Sequence, residues 1–402
     1  MSNPMSRREF LGLSLKTMTA FGLTPLLFNS FAEQFVKADS VASTDPVLVV
    51  IQLTGGNDGL NTIIPYGIGA YYDARPTIGY KQNEVIPINN TLAFQQSLKG
   101  LSSIYGDGKL AIIQNVGYPD SSRSHFEAQE IWQTSSPNRI ETTGWVGRYT
   151  DLANEKKDPL FALTVGATTK ALDAKNLQYP RIDDPRAFKF VMHAKADEIA
   201  RRDRAISAMY KNFDRGLSAL IASDRLVKTS KYQDPTSLYP SKYGFSQRLS
   251  FIAQCIASGL PTKAYVTELE GGFDEHESER NSHARVLSTV DETLYAFYQD
   301  LRQRNVLDRV VIVVYSEFGR RVHENASGGT DHGTANPVFV IGGKVKGGLY
   351  GDLPNFHNLD AFGDFKYGID FRSVFGTLAE SWMGVPTKSI MFGKTYETLP
   401  IF

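Results

Sequence analysis

Val47-Leu48-Val49-Val50-Ile51-Gln52-Leu53 runs without a break into Thr54-Gly55-Gly56-Asn57-Asp58-Gly59-Leu60-Asn61. The apolar run is too short for a helix and rich in β-branched residues, so it predicts a strand buried on both faces. Similar runs recur at Lys109 to Val116, Pro159 to Val165, Lys263 to Leu269, Arg309 to Tyr315 and Pro337 to Ile341. Helical patterns separate most of them, at Leu92 to Tyr105, Phe126 to Thr134, Phe245 to Ser258 and His283 to Arg304. Buried strands alternating with helices predict an α/β domain with a mostly parallel central sheet and helices on both faces.

Ahead of the first strand, Ser6-Arg7-Arg8-Glu9-Phe10-Leu11 leads into an apolar segment from Leu11 to Phe28. That is the layout of a twin-arginine export signal. Small-x-small sites at Ser30-Phe31-Ala32 and Ser40-Val41-Ala42 place cleavage after Ala32 or Ala42. Lys16 and several threonines interrupt the apolar segment, which favours a removed signal over a permanent anchor. Residues 1–42 therefore read as signal and linker, and 43–402 as one domain working in the periplasm or outside the cell. The translocase of the twin-arginine pathway is the expected export partner. Between Asp184 and about Tyr232 the pattern turns into a polar helical stretch, ending near Pro235 and Pro240. It predicts a helical insertion or cap over 184–240, its charge run facing solvent.

The 402 residues suffice for a large core, and 43 Lys plus Arg against 43 Asp plus Glu leave no field that would favour nucleic acid. The single cysteine, Cys255, lies in the apolar helical pattern SFIAQCIASG and reads as a packing residue; an internal disulfide is impossible.

In an open parallel sheet a ligand site lies beyond the carboxyl ends of the strands, so the loop after each strand matters most. The first strand delivers Asp58, an oxygen ligand for a hard cation or plain Asp-Gly turn chemistry. The Lys263 to Leu269 strand leads into Glu270-Gly271-Gly272-Phe273-Asp274-Glu275-His276. Asp274 and His276 are a metal-binding pair or a polar helix start. His283, in the following helix, reads as a surface residue. The Arg309 to Tyr315 strand ends in Ser316-Glu317-Phe318-Gly319-Arg320, and a buried Glu317 needs a cation or Arg320 as partner. The next loop carries Gly329-Thr330-Asp331-His332-Gly333-Thr334, and His323 lies in a segment too polar for the core.

The Lys109 to Val116 strand is followed by Asp120-Ser121-Ser122-Arg123-Ser124-His125 at the start of a helix. A serine there is a nucleophile, an anion ligand or simply an N-cap, and for Ser124 taken alone the cap is favoured. Three of the seven histidines, His125, His276 and His332, fall in these loops together with carboxylates. Independent turn chemistry should not gather imidazoles at one sheet edge, which turns the balance toward a metal site.

With these residues in view, the chain resembles the exported bacterial family called domain of unknown function 1501, itself similar to the alkaline phosphatase and sulfatase superfamily. The resemblance rests on the twin-arginine start, GGNDGLN with the following IPY and Arg75-Pro76, RSHFEAQEIW, the Gly144 to Tyr149 motif, GGFDEH, SEFGR with Glu324-Asn325, and GTDHGTANP. It implies an alkaline-phosphatase-like fold that holds one or two divalent ions (zinc, manganese or magnesium) at the strand ends. By position, Asp58 matches the first-strand aspartate, Asp274 and His276 a later pair, Glu317 the ligand after a late strand, and His332 the last histidine. Ser124 falls in the nucleophile region, with Ser122 second. Arg123 would hold the anion, and His125 would transfer a proton or bind the anion. Three departures stand out: Ser316-Glu317 replaces the usual Asp-His, Asp274 and His276 are closer together than the usual Asp and His, and a sulfatase-type Cys/Ser-x-Pro-x-Arg signature is missing.

The implied function is an exported, metal-dependent hydrolase of phosphate or related anionic esters, small or polymeric. The alternatives are a non-catalytic exported protein that keeps the fold for binding, and a purely structural set of loops paired among themselves.

Overall fold

The computed structural model describes residues 45–136, 141–166, 169–182 and 238–402. The expected signal and all but the last three residues of the expected insertion lie outside the described residues.

The strands in chain order are β1 (Val47–Leu53), β2 (Ile63–Ile64), β3 (Val85–Pro87), β4 (Ala93–Gln95), β5 (Leu110–Gly117) and β6 (Ala162–Val165), then β7 (Arg181–Ile182), β8 (Ala264–Leu269), β9 (Val310–Ser316), β10 (Asn336–Gly342), β11 (Gly348–Tyr350) and β12 (Ile369–Asp370). The main sheet runs β11-β5-β10-β9-β1-β8-β6-β7, with β12 also pairing with β5. β1 sits between β8 and β9, parallel to both, with Leu53 opposite Leu269 and Ser316. Only β10 runs against its neighbours, β5 and β9. One reversed strand therefore brings the carboxyl ends of β1, β5, β8 and β9 and the beginning of β10 to one edge.

β1 is buried throughout, and its period-2 alternation feeds two cores. Val47, Val49, Ile51 and Leu53 join the core that takes Leu101 and Ile104 from the Lys99–Gly106 helix, Leu249 and Ile252 from the Gly244–Ala257 helix and Leu287 and Leu294 from the Glu279–Gln303 helix. Leu48 and Val50 face the other core, with Trp132 of the His125–Thr134 helix, Trp145 of the Trp145–Ala153 helix and Phe375 of the Phe371–Thr377 helix. There Trp132 stacks between Tyr315 and Phe371, ring centroids 4.9 and 4.3 Å away. Helices thus cover both faces. The fold is α/β with a mostly parallel central sheet. Cys255 is buried in the first core. Among the described residues no helix is long and apolar enough to cross a membrane.

Three local readings are corrected. The Leu92 to Tyr105 pattern is not one helix: Ala93–Gln95 pairs with β2 and β3 in a small second sheet, and the helix begins at Lys99. Its start is set from afar, because Asp291 accepts the backbone N–H groups of Gly100 and Leu101 at 2.8 and 2.7 Å. β6 begins only at Ala162, since Asp158 captures the Leu160 N–H at 2.8 Å and turns the preceding chain. His283 is buried, 1% exposed, with Nε2 3.0 Å from Asn57 Oδ1. It lies on the face of the long helix that packs under the first loop, a placement its polar neighbours in sequence hide.

Candidate metal centre at the strand ends

The loops after β1, β8 and β9 are drawn together by one buried guanidinium. Arg320 donates to the carbonyls of Gly55 (2.6 Å), Gly56 (2.7 Å), Phe273 (2.8 Å) and Thr330 (3.0 Å), and to Asp274 Oδ1 (2.8 Å). Its planar fork satisfies carbonyls that the turning loops leave unpaired. The loops also touch directly. Gly55 has φ +114°, and a Cβ there would stand 2.9 Å from the Asp274 nitrogen. A Cβ on Gly329 would lie 2.3 Å from the carbonyl carbon of His276. Glycine at these positions lets the loops approach closely enough to bring their side chains together.

Asp274 Oδ1 is the centre of the cluster. His332 Nε2 lies 3.0 Å from it, His276 Nε2 2.9 Å and His125 Nε2 3.4 Å. His125 Nε2 and His332 Nε2 are 3.2 Å apart, and His276 Nε2 is 3.1 Å from His332 Nε2. The outer ring nitrogens have acceptors of their own. His125 Nδ1 is 2.9 Å from Glu317 Oε1, His332 Nδ1 2.7 Å from the Arg123 carbonyl oxygen and His276 Nδ1 3.4 Å from Asp331 Oδ1. A neutral imidazole that donates through Nδ1 has its lone pair on Nε2, so the lone pairs of all three rings turn toward Asp274. The rings of His125 and His332 also lie against Phe318, centroids 4.7 and 5.0 Å away, which limits their rotation.

This donor set fits a divalent ion. Ligand atoms of His125, Asp274 and His332 all lie within 4.8 Å of one another. Their separations of 3.2, 3.4 and 3.0 Å match the edge of about 3.3 Å of a tetrahedron with bonds of about 2.0–2.1 Å. His276 adds a donor beside the Asp274–His332 edge. Asp274 is 48% exposed and His276 46%, so the cluster opens to solvent on their side. Burial acts to raise the Asp274 carboxyl, but the hydrogen bond from Arg320 and the charge of that guanidinium outweigh it and hold the group well below the usual range. Its hydrogen bond to Glu317 raises His125, against partial burial.

Other expected residues fall elsewhere. Asp58 is not in the cluster: its buried carboxylate is paired with Arg75, whose Nε also donates to the Val322 carbonyl at 3.0 Å. Burial would raise Asp58, and the Arg75 charge overrides it and lowers the group. Glu279 beside it is raised by burial and then by the Asp58 charge. Glu317 is brought to the edge of the cluster, but against the far nitrogen of His125. Arg320, considered as its partner, binds Asp274 instead. The guanidinium of Arg123 is taken by Asp364 and by Asp360 at 3.0 Å, and lies over the Phe362 ring at 4.6 Å. Only its carbonyl meets the cluster. Ser124 occupies the N-cap position of the His125–Thr134 helix, yet its exposed hydroxyl makes no capping bond; the Ser122 hydroxyl bonds Glu127. His323 is exposed.

Sequence pattern gives no role to Arg75, Glu279 or Gln129, although Arg75 and Gln129 lie in the motifs that carry the family resemblance. Glu279 and His283 stand four apart on one helix, a same-face spacing that was legible. Nothing local pairs Arg75 with Asp58.

The family model described as protein of unknown function (DUF1501) matches residues 105–390, well over half of the chain. The chain belongs to that family. No curated protein matches its sequence. Among solved structures, this DUF1501 chain is similar to the C-terminal periplasmic domain of EcEptC from Escherichia coli, at 11% identity and TM-score 0.40, covering 89% of this chain and 90% of that one. It is similar to the lipoteichoic acid synthase LtaP from Listeria monocytogenes at 12% identity and TM-score 0.41, covering 89% and 77%. A protein in the alkaline phosphatase superfamily from Vibrio parahaemolyticus matches at 11% identity and TM-score 0.38, covering 88% and 69%.

Proposed function

We propose that this protein is an exported, metal-dependent hydrolase of phosphate or related anionic esters, small or polymeric, that acts in the periplasm or outside the cell after leaving by the twin-arginine pathway. The observation that carries the metal part is the convergence of three imidazole Nε2 atoms on Asp274 Oδ1, each ring with its other nitrogen at an acceptor. Export rests on Ser6-Arg7-Arg8-Glu9-Phe10-Leu11, and the ester class on the motifs that resemble the alkaline phosphatase and sulfatase superfamily.

His125, Asp274 and His332 would hold the ion, with His276 as a further donor; zinc or manganese suits the imidazoles better than magnesium. A bound divalent ion polarises an ester oxygen and lowers the pKa of an attacking hydroxyl or water. The chain supplies the rest. Ser124, whose hydroxyl makes no capping bond, precedes His125 and is the candidate to attack or to orient the ester. The first turn of the His125–Thr134 helix offers backbone N–H groups to an anion. Phe318 and the buried Arg320 fix the loops so that the donors need little rearrangement on binding.

Elemental analysis of the exported protein, followed by a panel of phosphate mono- and diesters and sulfate esters with and without chelator, tests the reading. Stoichiometric metal and chelator-sensitive turnover support it. Metal without turnover of any ester leaves a binding protein, and a metal-free, inert protein ends the metal-dependent hydrolase reading.

A further inference from the structure

Glu317 is the residue for which the geometry departs most from the positional match. Its Oε1 accepts from the Gly55 N–H at 2.8 Å, from Gln129 Nε2 at 3.1 Å and from His125 Nδ1 at 2.9 Å, and its Oε2 lies 3.1 Å from the Ser316 hydroxyl, which also donates to the Leu53 carbonyl at 2.7 Å. The side chain is fully buried. Three donors crowd the oxygen that faces His125, and the His125 ring stands between that oxygen and the Nε2 cluster. We infer that Glu317 is a positioning residue and not a metal ligand: it fixes His125 in the tautomer and orientation that turn Nε2 toward Asp274 and His332.

The physical reason is economy of rotation. An imidazole at the first position of a helix is otherwise free to turn about its side-chain bonds, and its two tautomers differ little in energy. A buried carboxylate held by a backbone N–H and by Gln129 of the same helix is a fixed acceptor, so only one tautomer satisfies it. Gln129 lies one turn after His125, so the helix carries both the ligand and a clamp on its support. The same carboxylate accepts from the loop after β1, which couples the position of His125 to the sheet rather than to its own loop.

This inference rests on the proposed metal centre, and two measurements separate its failure from the failure of that centre. The first uses the metal-free wild-type protein, labelled with 15N and held above the pH at which the imidazoles titrate. Long-range correlation spectra should show His125 protonated on Nδ1; protonation on Nε2 overturns the inference whether or not any metal binds. The second adds cobalt(II) to wild type, Glu317→Gln and His125→Ala. Glu317→Gln should keep the visible absorption envelope of the wild-type complex while binding roughly 10- to 100-fold more weakly, whereas His125→Ala should change the envelope. A Glu317→Gln envelope altered as in His125→Ala makes Glu317 a ligand, and unchanged affinity removes its positioning role. Wild-type protein that binds no cobalt counts against the metal centre, and the tautomer then decides the inference alone.

Discussion

The Nδ1 atom of His332 lies 2.7 Å from the carbonyl oxygen of Arg123, and its Nε2 lies 3.0 Å from Asp274 Oδ1. A carbonyl can only accept, so the lone pair of the neutral ring faces a carboxylate oxygen. Two electron-rich atoms at that distance call for a proton or a cation between them. Zinc titrated into metal-free protein should therefore raise its melting temperature, with stabilisation of about 2.7 kcal/mol at a hundred times the dissociation constant. His332→Ala should abolish the rise in a calorimetric scan. Equal responses of the two proteins would place the ion elsewhere.

The uncapping hydroxyl of Ser124 separates catalysis from stability. Removing an N-cap bond costs about 1 kcal/mol. Because Ser124 makes none, Ser124→Ala should leave unfolding free energy within about 0.5 kcal/mol of wild type and metal content unchanged. Ester turnover should fall by roughly 10³-fold or more if the hydroxyl attacks. Urea denaturation, elemental analysis and initial rates on one preparation decide the matter; unaltered turnover excludes Ser124 as nucleophile.

Arg75 and Asp58 form a buried ion pair, both side chains nearly inaccessible. Arg75→Met leaves the Asp58 carboxylate uncompensated and should destabilise by about 3–5 kcal/mol. Adding Asp58→Leu should recover much of that loss. Since Asp58 sits with the scaffold and not with the imidazoles, the folded double variant should still take up metal to the wild-type stoichiometry. Loss of metal from that variant would return Asp58 to the ligand set.

His283 gives the fold an acid-sensitive point. Burial lowers its pKa from 6.5 to about 4, because the charged ring would lose its hydration. The folded state then binds fewer protons than the unfolded chain between these values, so stability present above about pH 6.5 is lost as the pH falls toward 4. The full effect is about 3 kcal/mol. Urea unfolding at pH 7 and pH 4 should show wild type losing more than His283→Gln by about that amount. A parallel loss in both proteins would refute the assignment.

Local pattern carried the strands because a strand buried on both faces is apolar over most of its length. β1, β5, β8, β9 and β10 lie where the short, largely apolar runs placed them, within a residue or so. Parallel pairing then dictates that the loops leaving such strands meet at one edge, which is why His125, His276, His332 and Asp274 could be named together. Pattern failed at Leu92 to Tyr105, where a distant aspartate sets the helix start, and at His283, whose burial depends on the loop beneath it.

The residues by themselves determined the layered α/β architecture and the group of loops that carries imidazoles. Folding alone decided the partners. Asp58 goes to Arg75 and away from the cluster, Glu317 to His125 across 192 positions, and Arg123 offers its carbonyl while its guanidinium turns to Asp364. Periodicity reports which way a side chain faces relative to its own backbone. It holds no information on which distant charge arrives opposite, since that depends on register between strands and on loop closures made only when the whole sheet is assembled.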